Sequence, residues 1–414
     1  MINYLYDCYT ILNKVYSNKT YVKQAIKDSV IEEKNRALTI KTVYGVLDKD
    51  IQLSYYIKVL TDKSPKLVIR TVLKISMYAI KYLGKKEYAV TENAVSLVKK
   101  LGKGATSGFV NAFLRRFIKE QIALPSDELE SLSISCSYPQ FIIKELLLKY
   151  PKDRVEKIIS AENPFNTLCF YDIDGEEYLK NKGIDYQNTP FENVYFVKNF
   201  VMNEDFDKGL YTFQSIGSVA ISEEINNVKN LIDCCSAPGG KAVRLSYKVD
   251  DIVACDIHPH RVELIKSYCS RMKRENVKAI EQDSKVMNND FVDKFEGVLI
   301  DAPCSGTGVI NDNPDIKLNR TKEDIDSLIE EQRAILNNAK NYVKKGGYLY
   351  YSTCSILDSE NIDNVVWFLD NNKNFTLQNI DSKLPHENIN GANLFLPDIS
   401  NGVGFFIAKL KRED

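Results

Sequence analysis

Five short apolar runs, separated by helical stretches, follow one another from about Glu223 onward and constrain the fold more than any other feature. The runs are NLIDCC, DIVACDI, VKAIEQD, GVLIDA and GGYLYYST. Strands that alternate with helices pair in parallel through right-handed crossovers. We therefore predict that residues 223–414 form a doubly wound α/β domain. Ligands of such sheets bind at the carboxyl ends of the strands, so the residues that follow each run are the candidates for a site.

The amino-terminal part of the chain has the pattern of a helical domain. Apolar residues recur at spacings of three and four in LVIRTVLKISMYAIKYL and FVNAFLRRF, with Thr91 as an expected helix cap. We predict an all-helical domain over residues 1–125, ended by Pro125. Residues 126–222 are predicted to form a small α+β linker domain, with a helix at 140–149 and buried strands in TLCFY and VYFVKNF.

The two parts of the chain differ in charge, although the net charge is −1. Residues 1–125 hold 22 Lys and Arg against 10 Asp and Glu, whereas residues 126–414 hold 33 against 46. This asymmetry fits a basic module that contacts a polyanion, joined to an acidic module, although a solvated lysine-rich helical surface would give the same counts. On the first interpretation, the predicted phosphate contacts are Lys99, Lys100, Lys103, Arg115 and Arg116.

Cysteine usage and hydropathy bear on the compartment. The chain has nine cysteines and no apparent signal peptide, which indicates a reducing, cytoplasmic environment. No apolar run reaches the roughly 18 residues of a membrane span. The odd number of cysteines argues against a disulfide framework, and the lack of a C-x2-4-C pair argues against structural zinc. We expect no metal, no membrane partner and a monomer.

The first apolar run ends in a loop, DCCSAPGGKA, that opens a helix. Its proline fixes a turn, and its two glycines let the backbone approach a ligand closely. A phosphate-binding loop would need glycine at 235 and serine or threonine at 242, where this chain has Cys235 and Ala242. A polar ligand without phosphate, such as an adenosylated amino acid, fits better. The predicted cofactor loop comprises Cys235, Ser236, Ala237, Pro238, Gly239, Gly240 and Lys241.

Acidic residues end the next three runs. Asp256 follows the second strand, where a carboxylate is well placed to accept hydrogen bonds from both ribose hydroxyls. Asp283 ends the third run and could face an adenine amine, and Asp301 ends the fourth. A single aspartate at a strand end is as often a cap as a ligand. Four successive strands with polar or glycine-rich tips are harder to explain by capping.

Two cysteines lie just beyond strand ends, Cys304 in DAPCSGTGVI and Cys354 in YSTCSI. A thiolate that adds to carbon 6 of cytosine makes carbon 5 nucleophilic enough to take a methyl group, after which the carbon-5 proton and the thiolate leave. An acid that holds cytosine N3 protonated would assist, and Asp301 is the candidate. The residues alone leave open which cysteine attacks. The cysteines interpreted as small buried hydrophobes are Cys8, Cys136, Cys234, Cys255 and Cys269.

The loops DCCSAPGGKA, DAPCSGTGVINDNPDIK and YSTCSI resemble the signature loops of the RNA cytosine-5 methyltransferases. The segment SGFVNAFLRRF is similar to the NusB-type RNA-binding domain of the Sun/Fmu branch, whose members methylate 16S ribosomal RNA, and NGVGFFIAKLKR is similar to the final hairpin of that branch. The resemblance covers nearly the whole chain. It implies a Rossmann-like class I methyltransferase domain that uses S-adenosyl-L-methionine, preceded by a NusB-like domain.

The resemblance also assigns roles to residues. It implies that Cys354 is the nucleophile and that Cys304 assists breakdown of the covalent adduct and product release. It places the cofactor loop at residues 235–241, the ribose-binding acid at Asp256, the adenine-side acid at Asp283 and the fourth-strand acid at Asp301.

The chain departs from the family pattern at three places. An R-V-N triplet is replaced by residues 169–171, an aspartate by Ser215, and an aromatic by Leu318 and Asn319. These departures concern RNA contacts and the choice of target more than the chemistry.

Two other functions fit the same residues. A transfer-RNA cytosine-5 methyltransferase would use identical chemistry. A NusB-like RNA-binding factor with a decayed methyltransferase domain would be expected to have lost some site residues, yet all are present. A small-molecule methyltransferase would not need the long amino-terminal extension. The resemblance to the Sun/Fmu branch implies methylation of 16S ribosomal RNA, as naked RNA or in an early particle, and the transfer-RNA alternative stays open.

Overall fold

The computed structural model describes residues 2–413, which divide into two compact units. The first unit runs to Ser160 and includes residues 310–320; the second comprises residues 161–309 and the chain from Thr321 onward. The predicted segment 126–222 thus contributes to both units, and its status as a separate linker domain stays a prediction.

The first unit is helical, as the spacing of its apolar residues predicted. Its helices bury one apolar core that includes Leu12, Val46, Leu73 and Leu114. Thr91 does not cap a helix: it lies inside α6, where its hydroxyl donates to the carbonyl of Glu87 at 2.9 Å. The helices are α1 (Ile2–Asn18), α2 (Val22–Lys27), α3 (Arg36–Asp48), α4 (Asp50–Leu60), α5 (Leu67–Lys81), α6 (Glu87–Lys100), α7 (Ser107–Lys119), α8 (Glu128–Cys136), α9 (Gln140–Leu147) and α10 (Lys152–Ser160).

The second unit contains a small antiparallel sheet and a large mixed sheet. The small sheet has the order β2-β3-β1-β4, and both apolar runs predicted as strands between residues 166 and 200 belong to it. Its strands are β1 (Asn166–Cys169), β2 (Tyr186–Asn188), β3 (Val194–Val197) and β4 (Thr212–Phe213).

The large sheet contains all five apolar runs as parallel strands in the order β9-β8-β5-β6-β7. It is mixed rather than purely parallel, because β13 pairs antiparallel with β9 and continues the sheet through β12 and β11, with β10 also paired to β13. The strands are β5 (Asn230–Asp233), β6 (Asp251–Asp256), β7 (Val277–Glu281), β8 (Phe295–Asp301), β9 (Val343–Thr353), β10 (Phe375–Gln378), β11 (Glu387–Ile389), β12 (Ala392–Phe395) and β13 (Phe405–Arg412).

Helices connect the strands of the second unit as the alternation predicted. Ser215, one of the departures from the family pattern, caps α13 by accepting the N–H of Ser218 at 3.3 Å, a role that aspartate also fills. The helices are α11 (Gly175–Asn181), α12 (Glu204–Asp207), α13 (Ile216–Glu224), α14 (Gly240–Leu245), α15 (Pro259–Arg271), α17 (Lys322–Ala339) and α18 (Ile362–Asn371); the intervening α16 (Ile316–Asn319) belongs to the first unit.

The segment 310–320 is held within the first unit by polar contacts. The ammonium of Lys317 donates to Asp48 Oδ1 at 2.6 Å, and Asp315 Oδ2 accepts the N–H of Val22 at 3.2 Å. Leu318, where the family often has an aromatic, packs against the helical core. In residues 2–413, no helix combines the length and hydropathy needed to cross a lipid bilayer.

A backbone hydrogen bond joins the loops that follow β8 and β9, and a second one joins the loop after β8 to the loop before β13. The N–H of Gly308 donates to the carbonyl of Cys354 at 2.9 Å, and the N–H of Gly404 donates to the carbonyl of Gly308 at 2.7 Å. A Cβ atom added at Gly308 would lie 2.1 Å from the carbonyl oxygen of Gly404. This approach therefore requires glycine at residue 308.

We expect the substitution Gly308→Ala to lower the free energy of unfolding by about 1–3 kcal/mol, because a methyl group cannot enter a closely packed contact without moving the backbone. The matched control is Gly108→Ala in α7, where an added Cβ meets nothing within 4 Å. This control should keep or slightly raise the stability, by less than the roughly 0.8–1.0 kcal/mol of a helix interior, because Gly108 lies in the first turn of α7. Differential scanning calorimetry checks both, and a Gly308→Ala protein as stable as the wild type would contradict the close approach.

Candidate active site

A cavity of about 370 Å³ lies at the carboxyl ends of the parallel strands. Its size falls in the range of roughly 300–1,000 Å³ that is usual for pockets that bind small molecules. Seven residues that the sequence singled out line it: Cys235, Ala237, Asp256, Asp283, Asp301, Cys304 and Cys354. A larger cavity, of about 690 Å³, lies in the first unit, but its lining includes none of the predicted site residues.

The remaining residues of the predicted cofactor loop form a tight turn beside the smaller cavity. The N–H of Ser236 donates to the carbonyl of Cys255 at 2.8 Å, which ties the loop to β6. The N–H of Gly239 then donates to the carbonyl of Ser236 at 2.7 Å, and Gly239 has a φ of 103°, a conformation that favours glycine. The turn delivers Gly240 and Lys241 to the start of α14.

An ion pair connects this turn to the end of β8. The Lys241 ammonium lies 2.5 Å from Asp301 Oδ2, and the hydroxyl of Ser352 donates to Asp301 Oδ1 at 2.9 Å. Lys241 is only 9% exposed. Burial opposes its charged form, but the Asp301 carboxylate outweighs burial and raises the pKa of Lys241. The pair therefore fixes one carboxylate in the cavity wall.

Asp233 at the end of β5 is a functional candidate that the sequence analysis missed. It is 1% exposed, and its Oδ1 accepts the N–H of Cys235 at 3.4 Å. Burial, followed by the charge of Asp301, raises the pKa of Asp233 to about 7. Its place in the DCC triplet was visible in the sequence, but only the structure shows that it lies near Asp301. Among residues 2–413, Lys241 pairs with Asp301, and no cation forms an ion pair with Asp233.

Asp256 and Asp283 are each oriented by a backbone N–H two residues further along the chain. Asp256 Oδ1 accepts from His258 at 3.0 Å, and Asp283 Oδ1 accepts from Lys285 at 2.9 Å. Side chains of this kind form Asx turns, which hold the carboxylate in one orientation. Asp256 is 5% exposed. Two fixed carboxylates in one cavity can accept hydrogen bonds from hydroxyl and amine groups of a bound molecule.

The two cysteines at the strand ends are in contact. Their Sγ atoms lie 3.1 Å apart, and the N–H of Cys354 donates to the Cys304 sulfur at 3.3 Å. The contact with Cys354 and then burial raise the pKa of Cys304 well above the usual value of a thiol. Cys304 is therefore a weaker acid than an ordinary thiol, and its S–H group can donate a hydrogen bond to the neighbouring sulfur. One wall of the cavity thus presents a thiol pair.

Five cysteines were predicted to be small buried hydrophobes, and four of them are buried. Cys8, Cys234, Cys255 and Cys269 are buried, as expected. The prediction for Cys136 was wrong, because it is only half-buried near the end of α8. Within the described residues, no group of three or more His, Cys, Asp or Glu side chains is arranged to hold a metal ion.

The predicted RNA contacts lie in the first unit, on α6, α7 and the turn between them, and all five are exposed. Arg116 is already engaged, because its guanidinium donates to both carboxylate oxygens of Glu120 and to the carbonyl of Leu60. The Lys100 ammonium lies 4.0 Å from the ring centre of Tyr6. Lys99, Lys103 and Arg115 complete the basic surface of the two helices.

Comparisons with known proteins bear on both units. Residues 220–411 match the model of the family described as 16S rRNA methyltransferase RsmB/F, and residues 2–119 match the model of the NusB family. The chain is 28% identical to a probable ribosomal RNA small subunit methyltransferase B of Bacillus subtilis, over 97% of this chain and 96% of that protein. It is 29% identical to ribosomal RNA small subunit methyltransferase B of Photorhabdus laumondii, over 92% of each chain.

Solved structures share the fold. PH0851 superposes with a TM-score of 0.84 at 20% identity, covering 99% of this chain and 98% of that one. NSun6 from Pyrococcus horikoshii superposes with a TM-score of 0.59 at 18% identity, covering 67% of this chain and 98% of that one. Together with the family matches, these likenesses confirm the predicted fold class of a helical NusB domain and a Rossmann-like methyltransferase domain.

We expect Asp233 to make the stability of the protein depend on pH. Its folded-state pKa of about 7 lies above the ordinary value of 3.8, so the folded protein binds this proton more tightly than the unfolded chain does. Its contribution is therefore fully present below about pH 4 and is lost as the pH rises through about 7.

The substitution Asp233→Asn should remove that part of the pH dependence. The melting temperature of the wild type should fall between pH 5 and pH 8, and that of Asp233→Asn should fall less, because an amide does not ionise. Thermal melts at a series of pH values measure both. Parallel pH profiles for the two proteins would contradict the assignment.

Proposed function

We propose, on the premise that this chain belongs to the RsmB/F methyltransferase family, that it transfers the methyl group of S-adenosyl-L-methionine to carbon 5 of a cytosine in 16S ribosomal RNA. The observation that carries the proposal is the thiol pair. Two cysteines from different loops meet at 3.1 Å in the wall of a cavity that also holds Asp256 and Asp283.

The residues of the cavity fit S-adenosyl-L-methionine. Asp256 and Asp283 supply fixed acceptors for ribose hydroxyls and for an adenine amine, and the glycine turn lets the backbone approach closely. The carboxylates also favour a cationic ligand electrostatically. When bound, S-adenosyl-L-methionine supplies an electrophilic methyl group on a sulfonium. Cys235 to Lys241, Asp256 and Asp283 are the proposed binding residues.

Cys354 is the proposed nucleophile. Its thiolate adds to carbon 6 of the cytosine, which forms a carbon–sulfur bond and makes carbon 5 electron-rich enough to be methylated. Cys304, whose pKa is raised by its contact with Cys354 and by burial, holds a proton next to the attacking sulfur. A base then takes the carbon-5 proton, the double bond between carbons 5 and 6 re-forms, and the Cys354 sulfur leaves as a thiolate beside the Cys304 thiol, which can donate a hydrogen bond to it.

Asp301 is the proposed partner of cytosine N3. Lys241 and Ser352 hold its carboxylate in place, so it presents a fixed polar group beside the thiols. Addition to carbon 6 places electron density on N3, and a carboxylate that accepts a hydrogen bond from a protonated N3 stabilises that charge and lowers the barrier. Asp233 lies close to Asp301, whose charge is one cause of its raised pKa of about 7.

The proposed substrate is an unpaired cytosine. A base stacked within a helix cannot present carbon 6 to a thiolate, so the target must be extruded or already single-stranded, at a cost of a few kcal/mol. Curated relatives named ribosomal RNA small subunit methyltransferase B support 16S ribosomal RNA. Incorporation of labelled methyl groups into purified 16S ribosomal RNA and into transfer RNA separates the two substrates. Labelling of transfer RNA alone would contradict the proposal.

The two cysteines should fail in different ways. We expect Cys354→Ala to abolish turnover while cofactor binding, followed by calorimetry, survives. We expect Cys304→Ala to accumulate a covalent protein–RNA adduct, visible as a slow band on a denaturing gel, because attack proceeds but release does not. An adduct that forms with Cys354→Ala and is missing from Cys304→Ala would show that the two roles are exchanged.

The basic surface of α6 and α7 should contribute salt-dependent RNA affinity. Charge reversal at Lys99, Lys103 and Arg115 should weaken RNA binding and reduce the salt slope by about one for each phosphate that the variant no longer neutralises. The control reverses charge at Lys345 and Lys373, which are exposed lysines of the second unit. Filter binding over a range of salt concentrations measures both. Equal effects in the two sets would leave only general electrostatics and would contradict a specific role for this surface.

A further inference from the structure

Glu360 is a completely buried carboxylate that the proposed chemistry does not use. It ends the short helix Asp358–Glu360, and its exposed fraction is 0%. A buried carboxylate is costly unless hydrogen-bond donors surround it. Glu360 meets this requirement, because donors from two loops and from α17 converge on its two oxygens.

The donors come from the residues that directly follow the two cysteines. Glu360 Oε1 accepts the backbone N–H of Ser305 at 2.8 Å and Nε2 of Gln332 at 3.0 Å. Glu360 Oε2 accepts the hydroxyls of Ser305 and Ser355, each at 2.5 Å. Ser305 follows Cys304 in the chain, and Ser355 follows Cys354. One carboxylate therefore joins both cysteine loops.

We propose that Glu360 is a positioning residue that clamps the two cysteine loops together, so that the thiols of Cys304 and Cys354 stay in contact. The loops end different strands, and each thiol is placed by its own backbone. A loop that shifted would leave a buried carboxylate oxygen without its donor, which is more costly than the loss of an exposed hydrogen bond. The clamp therefore resists the movement that would separate the sulfurs.

Further contacts make the clamp rigid. The Thr307 hydroxyl lies 3.0 Å from that of Ser355 and accepts the N–H of Ile356 at 3.1 Å, which adds a second link between the loops. Gln332 donates to the carbonyl of Pro303 at 2.9 Å as well as to Glu360. The position of Glu360 is fixed in turn, because its carbonyl accepts the hydroxyl of Tyr351 at 2.6 Å.

The charge of Glu360 acts in the same direction as its geometry. The pKa of Cys304 is raised first by the contact with Cys354, then by burial, and also by the negative charge of Glu360. The clamp thus favours a protonated Cys304 beside its partner. A protonated thiol can donate a hydrogen bond to a neighbouring thiolate, so the arrangement suits a nucleophile and a proton-holding partner.

Phenylarsine oxide tests this positioning without RNA or cofactor. Its trivalent arsenic bonds two thiol sulfurs, and the two thiol protons leave with the oxide oxygen as water, so capture requires two thiols in contact. We expect the wild type to bind one phenylarsine group on the peptides that contain Cys304 and Cys354, as read by mass spectrometry. We expect Glu360→Ala to weaken that capture by at least about tenfold. It should also lower kcat by about 100-fold, an effect typical of misplaced reacting groups. The KM for S-adenosyl-L-methionine should stay unchanged.

The conservative variant Glu360→Gln should restore capture close to the wild-type value. Its side-chain oxygen can keep the Ser305 N–H and Gln332, and its amide can donate to the two serine hydroxyls, which act as donors or acceptors. The matched control is Glu330→Ala, an exposed residue of α17, which should change neither capture nor kcat. If Glu360→Ala does not fold, Ser355→Ala can be tested instead. It removes the hydrogen bond from Ser355 to Glu360 and should still weaken capture of the phenylarsine group.

The outcomes separate this proposal from the proposed function, on which its kinetic readout rests. Wild-type capture that folded Glu360→Ala or Ser355→Ala retains in full would overturn the clamp. A loss of kcat matched by an equal rise in KM for S-adenosyl-L-methionine would also overturn it, since that pattern indicates general disruption of the pocket. Capture that depends on Glu360 in a protein that methylates no RNA would support the clamp and refute the proposed function.

Discussion

The contact between the Sγ atoms of Cys304 and Cys354, 3.1 Å apart, is the constraint on which the proposed chemistry depends. Neither thiol belongs to a regular element, and each follows a different strand. Their meeting depends on β8 and β9 being parallel neighbours, and a backbone hydrogen bond from Gly308 to Cys354 joins the two loops. The parallel register thus decides where two reactive atoms meet, although the strands that set it carry neither of them.

A second constraint is electrostatic. Lys241, in the turn proposed to bind the cofactor, forms an ion pair with Asp301, which ends β8 and is the proposed partner of the target cytosine. One ion pair therefore connects the two parts of the cavity. Asp233 lies close by and has a pKa near neutrality because burial and Asp301 disfavour its charge. Lys241 at the start of α14 and the aspartates that end β5 and β8 therefore form one electrostatic group. This arrangement couples the geometry of the two halves of the site.

The sequence predicted the elements and the strand-end loops well, because apolar periodicity and glycine-containing turns are local signals. The parallel strands, α9 and the burial of Cys234 and Cys255 follow from such signals. Glu360 could not be predicted, because its role depends on donors 28 and 55 residues away in the chain. The antiparallel extension of the sheet was missed in part for the same reason, because β13 pairs with β9 and β10, which lie far from it along the chain. Thr91 and Cys136 show that a residue type alone predicts neither a cap nor burial.

The most direct test of the account identifies the atom that bonds to the pyrimidine. RNA that contains 5-fluorocytosine cannot release the enzyme by loss of a carbon-5 proton, so it should trap the covalent intermediate. After digestion of the complex, mass spectrometry should find the nucleotide attached to the peptide that contains Cys354. A nucleotide attached to Cys304 instead, or no crosslinked peptide from an enzyme that methylates ordinary RNA, would contradict the account.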